Sequence, residues 1–357
     1  MHDIQHQFVK NILFGAETNL KEQGSAFAPS NIALSKYWGK RDPALNLPIN
    51  SSLSVSLGKL GTKTELRIHD EDVASTKDVD FVEATTPSLS SRKDLIYLNG
   101  ALQAPDSSFA QRISEFLDLF RPMVGNAAFE VRTENNIPTA AGLASSASGF
   151  AALIMALDDL AGWGLDKKKL SMLARLGSGS ASRSVYDGFV QWHAGSNSDG
   201  TDSFSEKLPN EWPEFRIGIL ELCAAKKPVG SRDGMNRTVE TSELYKSWPE
   251  QANADIDIIR RAIEVQDFTV LGQTAERNAL SMHATMMSAW PPLIYLQPET
   301  IEQIHKVHRV RAEGLEVYLT IDAGPNIKLL FLEENEAEVL NAFSDLKIIN
   351  PFGISDA

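Results

Sequence analysis

Residues 135–150 read NNIPTAAGLASSASGF. Pro138 is followed by small residues, a glycine, the adjacent serines Ser145 and Ser146, and a second glycine, after which the apolar segment AALIMALDDLAG begins. Taken alone, the stretch fits two descriptions. It is a Ser-rich cap on the helix that follows, since serine hydroxyls accept bonds from the first amides of a helix. Or it is a loop that approaches an anion. Gly142 permits backbone geometry closed to other residues, and small side chains let N–H groups come near a ligand. The following helix adds unpaired N–H donors and the positive end of its dipole, while Ser145 and Ser146 add hydroxyls for phosphate oxygens or a Mg²⁺ ligand sphere. Neither G-x-x-x-x-G-K-[ST] nor G-x-G-x-x-G occurs, so the loop is not of the Walker or dinucleotide type.

Working outward, 25–34 reads as a strand broken by Pro29, and SLSVSLGKL after Asn50 alternates as a strand should. AAFEVRTEN is a third strand, ending just before the opening stretch. Two helical patterns follow it, SASGFAALIMALDDLAG and DKKKLSMLARLG, the second with Asp166 as N-cap. PNEWPEF is the linker candidate. Beyond it come a strand (RIGILELC), helices over about 236–265, 267–287 and 298–313, and the strands EVYLTID and IKLLFLEE. The order predicts an α+β chain of two domains, 1–209 and 210–357, with the small-residue clusters facing their junction.

Composition narrows the function. A hydrophobic content of 43% and a charged content of 23% suit a soluble globular protein. The single cysteine, Cys223, excludes a disulfide framework within the chain and an all-cysteine metal site; its apolar run predicts a buried thiol. The first residues lack a signal-peptide pattern, and no apolar run approaches the ~18 residues of a membrane helix, so the expected setting is cytoplasmic, away from membranes. With 34 Lys+Arg against 47 Asp+Glu the formal charge is −13, which disfavours nucleic acid as a partner. In such a chain each cation near a small-residue cluster carries information.

Four further segments combine those features, each with a plainer structural reading beside it. NIALSKYWGKRD, 31–42, sets Lys36, Lys40 and Arg41 around Tyr37 and Trp38; it also reads as a solvated strand end. GSGSASRSVYDGF, 177–189, holds Arg183 among small residues that would equally serve helix packing. AKKPVGSRDGM, 225–235, offers Gly230, Ser231 and Arg232 as a phosphate loop or an ordinary turn. TIDAGPN delivers Asp322 to the end of a strand, as a functional carboxylate or as a turn-forming Asx residue. His305 and His308 read as surface residues without a carboxylate companion, and His283 as either core or site. No G-x-S-x-G elbow occurs.

Taken in order, NIALSKYWGKRD, LPINSSLSVSL, PTAAGLASSAS, GSGSASRS, SRDGM, MHAT and TIDAGPN resemble the diphosphomevalonate decarboxylase family of the GHMP kinase superfamily, over about 25–330. PTAAGLASSAS alone marks only the superfamily; KYWGKR with SGSASRS and DAGPN marks the decarboxylase branch. Ser35 stands where the family usually has an apolar residue and Asp187 where glycine is common, both peripheral on this reading. About 20 N-terminal residues have no counterpart.

The resemblance implies an N-terminal ribosomal-S5-domain-2-like domain, a C-terminal ferredoxin-like domain and an active cleft between them. It implies ATP with Mg²⁺ and mevalonate 5-diphosphate as ligands, and a homodimer. Gly142, Ala144, Ser145, Ser146 and Ser148 would hold ATP phosphates, Ser145 and Ser146 meeting the metal through the nucleotide. Asp322 would orient or deprotonate the C3 hydroxyl, Arg183 would hold the substrate carboxylate with Asn31 positioning it, and Lys36 would add charge near the transferred group. Tyr37, Lys40, Ser178, Ser180, Ser231 and Arg232 would bind the rest of the substrate. The rival readings are a GHMP-type kinase that stops at the phosphate ester, a decarboxylase of the monophosphate, and a non-catalytic ligand-binding homologue.

Overall fold

The computed structural model describes residues 2–69, 93–137, 145–223 and 229–353. Helix α1 (His2–Ile12) comes first, then strand β1 (Gly24–Ser35), the short pair β2 (Lys40–Asp42) and β3 (Leu47–Pro48), and the long β4 (Ser52–His69). Strands β5 (Leu95–Leu98) and β6 (Ala101–Leu102) precede α2 (Ser108–Asp118), β7 (Ala128–Asn135), α3 (Ser145–Ala161) and α4 (Lys167–Gly177). A 3₁₀ segment, Gly179–Val185, leads into β8 (Phe189–Trp192) and β9 (Ser205–Lys207). These strands form a seven-stranded sheet in the order β6-β5-β7-β4-β8-β9, with β1 also paired to β4.

Pro29 does not break β1. The strand runs through it and shifts register between Pro29 and Asn31, because a residue without an N–H is tolerated at a bulge. Gly61 is required opposite, since an added Cβ would stand 2.1 Å from the Ala28 carbonyl oxygen. Helix α3 is apolar on nearly every side and is accordingly buried, packed on β1 and β4. That burial anchors the helix; Ser145 in its N-terminal turn is exposed, and Asp159 near its C-terminal end meets Lys21 at the surface. Asp166 caps α4 as expected, accepting from the Lys169 amide at 2.8 Å.

The second half contributes β10 (Phe215–Leu220), α5 (Ser231–Thr241), α6 (Trp248–Val265), α7 (Phe268–Met287), α8 (Pro298–Ala312), β11 (Tyr318–Ile321), β12 (Ile327–Leu332), α9 (Glu336–Ala342) and β13 (Lys347–Ile349). Its four-stranded antiparallel sheet has the order β11-β12-β10-β13. The helix expected over about 236–265 is two helices. Pro249 lies in the first turn of α6, the place where a missing N–H costs nothing, so the helix restarts there.

Two further expectations change. Strand β10 ends at Leu220, so Cys223 lies beyond it, half-buried against the cleft described below rather than in the core. His308 has a carboxylate companion: its Nε2 is 3.0 Å from Glu276 Oε1 on α7, a residue that also pairs with Arg311. His305 is exposed, as expected. Among the described residues no helix is long and apolar enough to cross a membrane.

The halves share one core. Ile32, Leu34, Leu53 and Val55 from the first sheet pack with Phe215, Ile259, Leu271 and Leu330 from the second half. Ser35, placed at the periphery by the family comparison of motifs, is buried within this seam; its Oγ donates to the Ala252 carbonyl at 3.1 Å. Asp187 is exposed and pairs with Lys207 at 3.2 Å.

Helix α1 is part of the core too. Phe8, Val9 and Ile12 form one buried face, and the Arg175 guanidinium lies 5.1 Å from the Phe8 ring centroid. Phe8→Ala is therefore expected to cost about 3 kcal/mol, the lower end for a buried phenylalanine, and to lower the calorimetric midpoint by about 5 °C or more. An unchanged midpoint would exclude α1 from the cooperative unit.

Candidate active site

The site begins where β1 ends. The Lys36 amide donates to Asn278 Oδ1 at 2.8 Å and its carbonyl accepts from Asn50 Nδ2 at 2.8 Å, so the residue is held from both sides of the seam. Lys36 Nζ reaches Asp322 Oδ1 at 2.8 Å, and Lys328 Nζ lies 3.3 Å from Asp322 Oδ2. Asp322 is in the turn between β11 and β12. The lysine side chains are 2% and 1% exposed and the carboxylate is 33% exposed, so Asp322 is the member that faces the cleft. Burial by itself would raise the Asp322 carboxyl, but Lys36 and Lys328 overcome that effect and hold it well below the usual carboxylate range.

Burial pushes Lys36 down, opposed by Asp322 and reinforced by Lys328 and Arg183. His283 on α7 resolves as a site residue: its Nε2 is 3.0 Å from the Asp322 backbone oxygen, which fixes that nitrogen as the donor. Burial pushes His283 down to about 4, so the ring is neutral at pH 7.

Arg183 lies on the 3₁₀ segment, 3% exposed. Its Nη1 donates to Ser52 Oγ at 2.5 Å, and its Nε and Nη2 share Asn31 Oδ1 at 3.3 and 3.2 Å. Asn31 in turn donates to Ser184 Oγ at 2.7 Å. Burial lowers Arg183 to about 10, which leaves it charged at neutral pH. Among the described residues its hydrogen-bond partners are the neutral side chains of Ser52 and Asn31, so a buried cation faces the cleft without a carboxylate bonded to it.

A second cation group lines the same cleft, which has a volume of about 920 Å³. Lys40 donates to Asn46 Oδ1 at 2.5 Å, and Asn46 is anchored by the Arg175 and Leu176 carbonyls at 2.9 Å. Burial, then Arg232 and Arg112, push Lys40 down to about 8. Ser231 and Arg232 belong to the first turn of α5 rather than to a loop, with Gly230 as N-cap. Tyr37 stacks edge-on against Trp192 at 4.8 Å, and a Cβ on Gly179 would come within 3.0 Å of both rings. The Tyr37 hydroxyl is buried with no hydrogen-bond partner among the described residues, which suits a ligand oxygen.

The N-terminal turn of α3, Ser145 to Ala147, also lines the cleft. Ser146 Oγ is 3.4 Å from Ser178 Oγ, itself 3.4 Å from Ser180 Oγ, so a line of hydroxyls joins α3 to the cluster before Arg183. Ser145 is exposed at the cleft mouth. Ser148 is turned the other way: it is fully buried and its Oγ bonds Thr62 Oγ1 at 2.8 Å, so it does not face a nucleotide. Gly142 and Ala144 lie outside the described residues. An exposed helix N-terminus carrying hydroxyls, beside a cation-lined cleft, fits the phosphates of ATP and, through them, Mg²⁺.

One cleft thus gathers Asn31, Lys36, Arg183 and Asp322 with Tyr37, Lys40, Ser231 and Arg232. Sequence reasoning missed Arg112, Asn46 and Lys328. Arg112 has no local signal, being one cation on an amphipathic helix. Lys328 has one: a lysine inside the apolar run IKLLFL.

A two-part α+β chain with this cleft between its sheets is a GHMP-type fold. Residues 28–205 match the family model described as diphosphomevalonate decarboxylase-like N-terminal domain, and residues 218–350 match mevalonate 5-diphosphate decarboxylase C-terminal domain. The chain belongs to the diphosphomevalonate decarboxylase family. Diphosphomevalonate decarboxylase mvd1 of Aspergillus fumigatus is 39% identical over 329 residues, 87% of this chain and 77% of that protein. The Rattus norvegicus diphosphomevalonate decarboxylase is 40% identical over 332 residues, 88% and 78% of the two chains. Mevalonate diphosphate decarboxylase from Staphylococcus aureus superposes with a TM-score of 0.82 at 35% identity, covering 92% of this chain and 95% of that one. MDDEF in complex with MVAPP, AMPPCP and magnesium gives 0.80 at 38% identity, covering 91% and 95%.

Proposed function

We propose that the chain catalyses ATP-dependent decarboxylation of mevalonate 5-diphosphate to isopentenyl diphosphate, ADP, phosphate and CO₂, a step of the mevalonate route to isoprenoids. The observation that carries this reading is Asp322 facing the cleft beside buried Arg183, with a second cation group, Lys40 with Arg232 and Arg112, lining the same cleft. A kinase of the same fold needs a place for the phosphoryl acceptor; a β-hydroxy acid decarboxylase also needs a cation for the carboxylate it expels. Arg183 supplies that cation.

A β-hydroxy acid loses CO₂ slowly because hydroxide is a poor leaving group and no ketone accepts the electrons. ATP with Mg²⁺ supplies the phosphoryl group that turns the C3 hydroxyl into a leaving group. The chain's own residues do the positioning, which is most of catalysis in phosphoryl transfer. Arg183, fixed by Asn31 and Ser52, binds the substrate carboxylate. Asp322 accepts a hydrogen bond from the C3 hydroxyl and orients it; a carboxyl held so low orients better than it removes a proton. Its negative charge then faces the cation-like C3 that forms as phosphate leaves. Tyr37, Lys40, Ser231 and Arg232, joined by Arg112, hold the diphosphate, and Ser178 and Ser180 add hydroxyls from the cleft lining. Ser145 and Ser146 would hold nucleotide phosphates and, through them, meet the metal.

The domain division at 209/210 is part of this reading, supported by sheets that end at Lys207 and begin at Phe215. A cytoplasmic setting and a homodimer belong to it as well, resting on the family resemblance.

The test is turnover of mevalonate 5-diphosphate with ATP, following ADP, phosphate and CO₂ together. Equal amounts of the three are expected; ADP without CO₂ would make the chain a kinase that stops at the ester.

Lys40 adds a pH signature. A bound diphosphate favours the ammonium form, and Lys40 in the free site titrates at about 8. Below that pH the proton is already present; above it, binding must take one up. The substrate KM is therefore expected to rise above pH ~8, by up to tenfold per unit, while the ATP KM stays flat. Lys40→Arg should abolish the rise, and its persistence in that variant would remove Lys40 from the pocket.

A further inference from the structure

Strand β12 reads IKLLFL, and the lysine interrupts an otherwise apolar, buried strand. Lys328 is 1% exposed, and its Nζ lies 3.3 Å from Asp322 Oδ2 and 3.5 Å from the Asn326 carbonyl oxygen. Lys36 Nζ, delivered by β1, holds the opposite oxygen, Oδ1, at 2.8 Å. The torsion that turns a carboxylate about its own axis is soft, so a single lysine leaves the group free to rotate. Two lysines, one directly after β1 and one on β12, each on its own oxygen, do not.

We propose that Lys328 is a positioning residue: by holding Oδ2 of Asp322 it keeps the carboxylate anionic and in one rotation, with its remaining lone pairs toward the cleft. The link to catalysis rests on the decarboxylase reading; the effect on Asp322 does not. The charged groups that face Asp322 come from three elements. Lys36 lies at the end of β1, Lys328 on β12 and Arg183 on the 3₁₀ segment. His283, from α7, bonds the Asp322 backbone oxygen and is neutral at pH 7. The cluster thus has more cations than anions, a surplus that an anionic substrate completes.

A lysine that merely neutralised a nearby carboxylate would be replaceable without moving the reaction. Lys328→Met preserves length and suits a buried apolar strand, so the fold is expected to persist. With one cation gone, the Asp322 carboxyl must rise. Activity that needs the anion is present above its pKa and lost as pH falls through it, so the acidic limb of kcat should move to higher pH by about one unit or more. At pH 7 kcat should fall ~10–100-fold, with both KM values within about threefold, since positioning acts on the transition state. Lys328→Arg should recover part of the loss.

The second readout needs no turnover: the ¹³C signal of the Asp322 carboxyl in ligand-free protein, identified by its absence in Asp322→Asn, titrated in wild type and Lys328→Met. A titration shifted upward in the variant supports the proposal even if mevalonate 5-diphosphate is not the substrate, in which case only the decarboxylase reading fails. Wild-type kcat with an unmoved acidic limb and an unmoved carboxyl titration overturns it. If Lys328→Met melts too low to assay, Lys328→Gln, a donor without charge, is read by the same criteria.

Discussion

Asp322→Asn is expected to fold, to bind ATP with little change, and to lose kcat by ~10²–10⁴, because the reacting hydroxyl then has no charged group to orient it. The geometry sets the terms. The carboxylate receives Lys36 on one oxygen and Lys328 on the other, and the side it leaves open is the side toward the cleft. An asparagine keeps one acceptor oxygen, but its NH₂ must face a lysine, donor against donor. Substrate then meets two buried cations with no anion between them, and the C3 hydroxyl loses its charged acceptor. Breaking a fully buried ion pair from one side costs about 3–5 kcal/mol; the partial exposure of Asp322 brings the expected loss below that range. The midpoint should therefore drop without abolishing the fold. Single-turnover kinetics with circular dichroism and nucleotide titration separate these effects. Near-wild-type kcat in Asp322→Asn would take Asp322 out of the chemistry.

Mevalonate 5-phosphate is expected to be a poor substrate. Tyr37, Lys40, Ser231 and Arg232 come from distant segments, and the structure adds Arg112 to the same wall. They are more donors than a single terminal phosphate uses. The buried Tyr37 hydroxyl has no partner among the described residues, and Lys40 is held by Asn46 without a carboxylate in that bond. Each charge-assisted hydrogen bond contributes ~1.5–3 kcal/mol, so losing the contacts to one phosphate should lower kcat/KM at least ~10-fold and up to several hundredfold. The loss should be shared between KM and kcat, because binding at the diphosphate end helps to place C3 over Asp322. Lys40→Ala should then harm the diphosphate much more than the monophosphate. Equal kcat/KM for the two substrates in the wild-type protein would place this chain in the monophosphate branch.

Much of the candidate site was legible as motifs. Arg183 is the one cation in a run of small residues, Asp322 stands at the end of an apolar strand ahead of a turn, and Lys36 with Lys40 flank an aromatic pair in a chain short of cations. Local chemistry also marked Asp166 as a cap and α3 as an apolar helix. Other features had no local trace. Pro29 reads as a breaker, but a bulge opposite Gly61 absorbs it, and that depends on β4 being there. Ser148 belongs to a loop of candidate phosphate ligands by sequence; its place on the helix turns it to Thr62 instead.

By itself, the sequence determined the family, the two-part α+β architecture and the identity of most cleft-lining charges, because each of these is carried by residues contiguous in the chain. Tertiary structure decided what those charges meet. Lys328 is an oddity within an apolar strand until β11 and β12 turn it beside Asp322, and Arg112 is one cation on a surface helix until α2 carries it to the cleft. Asn46 and Asn278, which hold Lys40 and the Lys36 backbone, are ordinary polar residues in sequence. Burial and opposing charge arise only when distant segments pack together, so the state of Asp322 between two lysines was set by folding and not by the motif around it.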